Sequence, residues 1–453
     1  MTNCRRLVSR IALSILAALP VLLFARSILG PAPGHTGAPG DQLCTRAGCH
    51  AGTANTGPGR VGIAFPAGQR YLPGVRQWWQ VTITDPDAQR FGFQATARQS
   101  ANPELAQAGR FEPFDGTTFV LCQDGSERAA GACPAATPVE FIEHNDRYGF
   151  NTFLIEWTPP DTPAGDVKVY IAANAADGRG TPSGDRIYTA EYTLSPLAFP
   201  SAPRINGVSQ AFDNSARLSS GTYIQIFGEN LSAVTRSWNP GDFTPKGSPP
   251  PPGARGPNAL DQARVLVNGK DAFVSYASPA QVNAVTPDDD AEGDVTIQVT
   301  HPGGASNLFV MTKTRVSPVL QENPLFVAGD RKFIVAFQDN FASFVGPAAL
   351  QIPGAVVRPA RPGSVITIFA LGLGSAATPA GQIPAGAPTV ARDYAFRFGE
   401  TVAEAIGVQA PGFVGLYQFN VTVPPLPPGD YPVELTVDGV PTGQGLYTSI
   451  AQP

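Results

Sequence analysis

Residues 221–231 read GTYIQIFGENL, and residues 363–373 repeat the pattern as GSVITIFALGL. In each copy apolar side chains alternate with others: Ile224 and Ile226 against Tyr223, Gln225 and Phe227, then Ile366 and Ile368 against Val365, Thr367 and Phe369. A period of two is that of a β-strand with one buried face, and the glycine that follows marks a turn. The echo continues with its order and spacing kept. VLVNG at 265–269 answers FRFG at 396–399; Gln281 and Asn283 with Pro287 answer Gln418 and Asn420 with Pro424; Gly293 and Asp294 before VTIQV answer Gly429 and Asp430 before YPVELTV. A chain that writes one strand order twice builds one module twice, so the C-terminal half is expected to be a tandem of antiparallel β-sandwiches.

At 453 residues the chain has room for about three domains on the usual size of 100–200 residues. Hydrophobic residues at 43%, charged residues at 15%, and turn-forming Gly 48 and Pro 46 make a folded all-β composition. Without Arg5, Arg6, Arg10 and Arg26 the balance is 27 basic against 36 acidic residues, which argues against nucleic acid as a partner. Those arginines belong to a leader, residues 1–26: three of them precede an apolar run at 11–25 that no acidic residue interrupts. This reads as an export signal or, since no clear A-x-A cleavage site follows, an uncleaved anchor and the one membrane contact. Cys4 lies before the apolar run and leaves with the leader. Cys44, Cys49, Cys122 and Cys133 remain, an even number that suits two disulfides in an exported chain. Local pairing is favoured, because a short loop keeps its two thiols close.

Residues 27–43 are rich in Gly and Pro and read as an extended segment. Strands then begin at Gln77, with Trp79, Val81 and Ile83 on one face, and follow at 91–98, 117–122, 139–143, 152–157, 167–172 and 187–194. The succession YLPGVRQWWQVTITDP, RFGFQATARQ, FIEHNDRYGFNTFLIEWTPP and VKVYIAANAADGRGTPSGDRIYTAEYTL resembles the bacterial reeler-type (reelin N-terminal-like, choice-of-anchor) domain, an immunoglobulin-like sandwich. That resemblance covers about residues 34–197 and includes the preceding TGAPGDQLCTRAGCHAG, except that those members commonly write C-x-x-C-H and this chain has C-x4-C-H. AFPSAP at 198–203 is a linker. Beyond it SSGTYIQIFGENL, VLVNGKDAFVSYASPAQVNAVTP, GDVTIQVTHPGGASN, RPGSVITIFALGLG and LPPGDYPVELTVDG are similar to the IPT/TIG-like C-terminal region of acidobacterial-type secreted proteins. The resemblances imply an all-β chain of three immunoglobulin-like antiparallel β-sandwich domains in tandem, at 27–197, 204–316 and 317–450, in an exported setting. Within the second domain, 238–257 carries PPPP and little periodicity, so a solvated loop of polyproline character is expected there.

One constellation has possible chemistry. Cys44 and Cys49 with His50 admit three readings: a small disulfide loop with a solvated histidine, a c-type haem held by two thioethers and the imidazole, or a zinc site lacking a fourth ligand in the spacing. With haem, His144 or His35 is the candidate second axial ligand. Cys122 and Cys133 enclose a small polar loop and are expected to form a disulfide. Trp78 cannot share a core with Trp79, because successive strand residues face opposite sides. It either packs beneath the N-terminal segment or offers a stacking platform for a sugar or partner. The acidic run at 288–294 lacks EF-hand spacing and reads as a solvated turn, and Gly372-x-Gly374 is followed by no helix former. No G-x-S-x-G, H-E-x-x-H or Walker motif occurs. The expectation is therefore a non-enzymatic protein, without metal or cofactor, secreted, periplasmic or at the cell surface. It would serve adhesion or structure by binding polysaccharide, matrix or a surface protein; electron transfer through haem c is the alternative.

Overall fold

The computed structural model describes residues 30–45, 49–50, 52–128 and 132–451, so the leader lies outside the described residues. Strand runs through the whole of this range, in mostly antiparallel sheets, and no α-helix occurs among the described residues. The chain divides into two compact units, Met1–Pro196 and Leu197–Pro453. The first contains one sandwich; the second contains two.

In the first unit a four-stranded sheet faces a six-stranded one. The strand Gln77–Thr84 sends Trp79, Val81 and Ile83 into the space between them, all fully buried. Trp79 meets Trp157 at 4.8 Å and Phe111 at 5.7 Å, and the Trp157 indole N–H donates to the Ala108 carbonyl at 2.9 Å. Truncating either indole to Ala removes the largest side chains of this core, a loss of roughly 3–5 kcal/mol. Arg60–Ala64 and Arg110–Pro113 edge the four-stranded sheet and are strands the sequence pattern does not announce.

The second unit shows the repeat as structure. Tyr223–Glu229 pairs with Gln281–Val285, and Val365–Leu371 pairs with Tyr417–Thr422. Ala263–Val267 pairs with Gly293–His301, and Tyr394–Phe398 with Gly429–Val437. In both copies the isoleucines predicted to face inward are fully buried. The acidic turn is exposed at Asp288, Asp290, Glu292 and Asp294, and its backbone also closes on an internal cation. The buried Lys313 ammonium donates to the carbonyls of Asp289 (2.5 Å) and Ala291 (2.8 Å). Hydrogen bonds from Asn268, then from the Ala291 N–H, and then from Lys270 hold the Asp289 carboxyl down at about 2.

Residues 238–257 depart from the expected solvated loop. Phe243 and Ala254 are buried with Phe273, Val285, Ile383 and Val414 in an apolar cluster that joins the two sandwiches of this unit. Backbone bonds from Gly253 to Ile383, Ile383 to Ala254 and Gly256 to Gly381 lace the loop to the third sandwich. Proline-rich sequence lacks local periodicity, and here tertiary burial supplies the order that periodicity does not.

Candidate functional site

The N-terminal segment lies along the outer face of the six-stranded sheet and is locked there by polar groups. The Gln94 amide accepts the His35 N–H at 2.7 Å and donates to the Ala32 carbonyl at 3.1 Å. Arg98, fully buried over the Phe141 ring, donates to both Asp41 oxygens at 3.2 Å, to the Thr96 hydroxyl, and to the carbonyls of Pro103 and Glu104. The expected bridge between Cys44 and Cys49 is not formed, and both are free thiols. Cys44 is instead buried against Ala172 and Ile187 with its sulfur directed to the His35 carbonyl, and Cys49 is exposed. Burial, helped by the charges of Cys49 and Glu143, pushes the Cys44 thiol up to about 12.

The imidazoles also hold protein partners. His50 Nδ1 is 3.0 Å from Asp185 Oδ2, and its Nε2 is 3.4 Å from the Asn174 amide nitrogen. His35 Nδ1 is 2.8 Å from the Ala32 carbonyl, and His144 Nδ1 accepts the Phe93 N–H at 3.0 Å, with burial lowering its pKa. A c-type attachment does not fit this donor set, which offers one accessible thiol rather than two. Cys122 and Cys133 are joined, with Cα atoms 5.5 Å apart. Trp78 stands on the outer face of the four-stranded sheet, across from Glu156 and half-buried beside Phe114 at 6.4 Å. The N-terminal segment covers the other sheet, so that packing role falls away.

The more developed surface is on the third sandwich, where side chains of the strand Val365–Leu371 that turn away from the core join a transverse row. Register places Phe344 beside Phe337, Phe337 beside Thr367, Thr367 beside Asn420 and Asn420 beside Ile406, so one row crosses five strands. The next row sets Phe369 beside Gln418 and Gln418 beside Val408. Phe341 stacks on Phe369 at 6.2 Å and lies 5.2 Å from Phe337, yet is 54% exposed. It is carried by a hairpin turn in which Asp339, Asn340 and Phe341 all have positive φ (55°, 52° and 68°). Such a run is costly for non-glycine residues and is held by other contacts. Here Asp339 accepts from Ser343 at 2.6 Å and pairs with Arg358.

The amides between the rings are oriented. The Asn420 side-chain oxygen accepts from the Gln418 amide at 3.1 Å and from the Thr367 hydroxyl at 3.2 Å. This leaves the Asn420 NH2 and the Gln418 oxygen without partners among the described residues, one donor and one acceptor presented side by side. No charged side chain belongs to either row. The alternation of Val365, Thr367 and Phe369 and the pairing of Gln418 with Asn420 were visible in the sequence; the arrival of Phe337, Phe341 and Phe344 was not.

No protein-family model matches the chain, and no curated protein matches it in sequence. Among solved structures it is similar to the human F-spondin reeler domain, at 19% identity over 32% of this chain and 94% of that one, with TM-score 0.23. The Reelin-N domain of F-spondin matches at 18% identity over 32% and 93%, TM-score 0.23. The plexin A4 extracellular region matches at 11% over 91% of this chain and 27% of that one, TM-score 0.24. Likeness of this extent fixes neither ligand nor activity.

Proposed function

We propose that this is an exported, non-enzymatic binding protein that holds an uncharged polysaccharide on the outer face of its third sandwich. The observation that carries the reading is the pair of rows in which Phe337, Phe341 and Phe369 lie beside Thr367, Asn420 and Gln418. Flat rings cover the C–H faces of sugar rings and remove apolar area from water, while amides supply both donors and acceptors for hydroxyls. At the usual strand spacing, the row from Phe337 to Ile406 extends roughly 14 Å, enough for an extended chain rather than a single small group. The lack of charge in the rows favours a neutral ligand. The disulfide between Cys122 and Cys133 agrees with an oxidising compartment.

Electrophoresis through gels containing uncharged polysaccharides (β-glucan, xylan, galactomannan) tests this. At least one is expected to retard the protein, and a Phe341→Ala/Phe369→Ala variant should run freely in the same gel. Equal retardation of both proteins, or of neither in every polysaccharide, overturns the reading.

A further inference from the structure

A second site lies where the proline-rich loop, the second sandwich and the third sandwich meet. A cleft of about 560 Å³ opens there, lined by Arg255, Lys270, Asp271, Phe273, Asp288 and Gln382 among others. That volume is in the range of small-ligand sites. Arg255 is fixed at its backbone, exchanging two hydrogen bonds with Thr244 (2.8 and 2.9 Å) and bridging to Gln382. Its guanidinium lies 4.9 Å over the buried Phe273 ring. Gly381 packs against that same ring so closely that a Cβ would sit 2.3 Å from it. The other charges of the cleft are mostly spoken for: Lys270 pairs with Asp289 at 3.2 Å and Asp271 with Arg264 at 2.6 Å. Arg255 has no carboxylate partner among the described residues. The Asp288 carboxylate accepts from the Ala380 N–H at 2.8 Å and forms no ion pair among the described residues, while its backbone carbonyl accepts from the Lys270 ammonium at 3.4 Å.

The geometry points to a binding site for a carboxylate-bearing sugar, with the carboxylate on the Arg255 fork and ring hydroxyls on Asp288 and Gln382. The Arg255 side chain is exposed and its guanidinium carries no ion pair among the described residues, which leaves its fork open to two parallel bonds with a carboxylate. The Asp288 carboxylate, which has no ion-pair partner among the described residues, repels a second negative charge, so a hexuronate is selected over a phosphorylated sugar. The hydroxyl acceptors beside the guanidinium separate this ligand from a bare anion. This site is distinct from the aromatic face and stands or falls independently of it.

The test is calorimetric titration of the full chain with oligomers of galacturonate, glucuronate and mannuronate, and with neutral galactose oligomers as control. At least one uronate oligomer is expected to bind, with affinity falling as salt rises, and Arg255→Gln to weaken it tenfold or more. Should Arg255→Gln lower the melting temperature, Gln382→Glu serves instead. It places a repelling carboxylate in the cleft without touching the stacked ring and is expected to abolish uronate binding. Uronate binding unchanged in both variants, equal binding of the neutral oligomers, or no binding of any uronate overturns the proposal.

Discussion

The second and third sandwiches carry the same amide ladder and use it differently. In the second, Phe227 stands beside Gln281 and Gln225 beside Asn283; in the third, Phe369 stands beside Gln418 and Thr367 beside Asn420. The Gln281 amide donates to Asn283 at 2.8 Å just as Gln418 does to Asn420. What differs is the neighbouring strand. Arg204–Gln210 brings Ser209 opposite Gln225 and Gly207 opposite Phe227, whereas Ala336–Gln338 brings Phe337 opposite Thr367 and turns into the hairpin that carries Phe341. In addition, Tyr223 at one end of the second sandwich's face is drawn into the apolar cluster under the proline-rich loop. The ladder belongs to the repeat, and the adjacent strand decides whether it becomes a binding face.

If that comparison is right, the largest effect should come from removing the exposed Phe341 ring together with the half-buried Phe369 ring it stacks on. Each aromatic contact contributes about 0.5–1.5 kcal/mol beyond area burial, so Phe341→Ala/Phe369→Ala is expected to weaken retention by tenfold or more in affinity electrophoresis. Asn420→Ala removes the donor presented to the ligand and the oxygen that orients Gln418 and Thr367, and should cost about 1 kcal/mol, a roughly fivefold loss with little change in melting temperature. Ser209→Phe probes the comparison from the other side. It should give the second sandwich a ring opposite Gln225 and strengthen retention by a few-fold, measured in the Phe341→Ala/Phe369→Ala background so that the gain is visible.

The smallest effect is that of acid. Hydrogen bonding from Ser343, then Arg358, holds the Asp339 carboxyl below its ordinary value of 3.8. A carboxylate depressed in the folded state contributes above its unfolded value and loses that contribution as pH falls through the folded one. Retention should therefore be flat from pH 7 to about 4 and decline below it as the hairpin tip loosens; Asp339→Asn should remove the decline.

Much of this was legible before any coordinates, and the reasons are physical. The alternation of Ile366 and Ile368 with Thr367 and Phe369 reports burial on one face directly, because strand residues alternate sides whatever they pack against. The same rule separated Trp79 from Trp78. What escaped depends on contacts far apart in sequence. Asp41 and Arg98 form the buried lock of the N-terminal segment across 57 residues, with no local pattern to mark either. Close spacing made a bridge between Cys44 and Cys49 attractive, but Ala172 and Ile187 offer the Cys44 side chain an apolar site that no spacing argument contains. Phe337 reaches Thr367 only through pairing of strands that no local pattern links. The loop at 238–257 was misread for the converse reason, since prolines suppress periodicity without preventing burial of Phe243 and Ala254.

Hydrogen exchange followed by mass spectrometry, with and without the polysaccharide that retards the protein, tests the central claim most directly. The account predicts slowed exchange across the hairpin 336–345 and in Val365–Leu371 and Tyr417–Thr422, with Arg204–Gln210 and Tyr223–Glu229 unchanged. Slowed exchange confined to the second sandwich or to the first unit, with 336–345 unaltered, would contradict it.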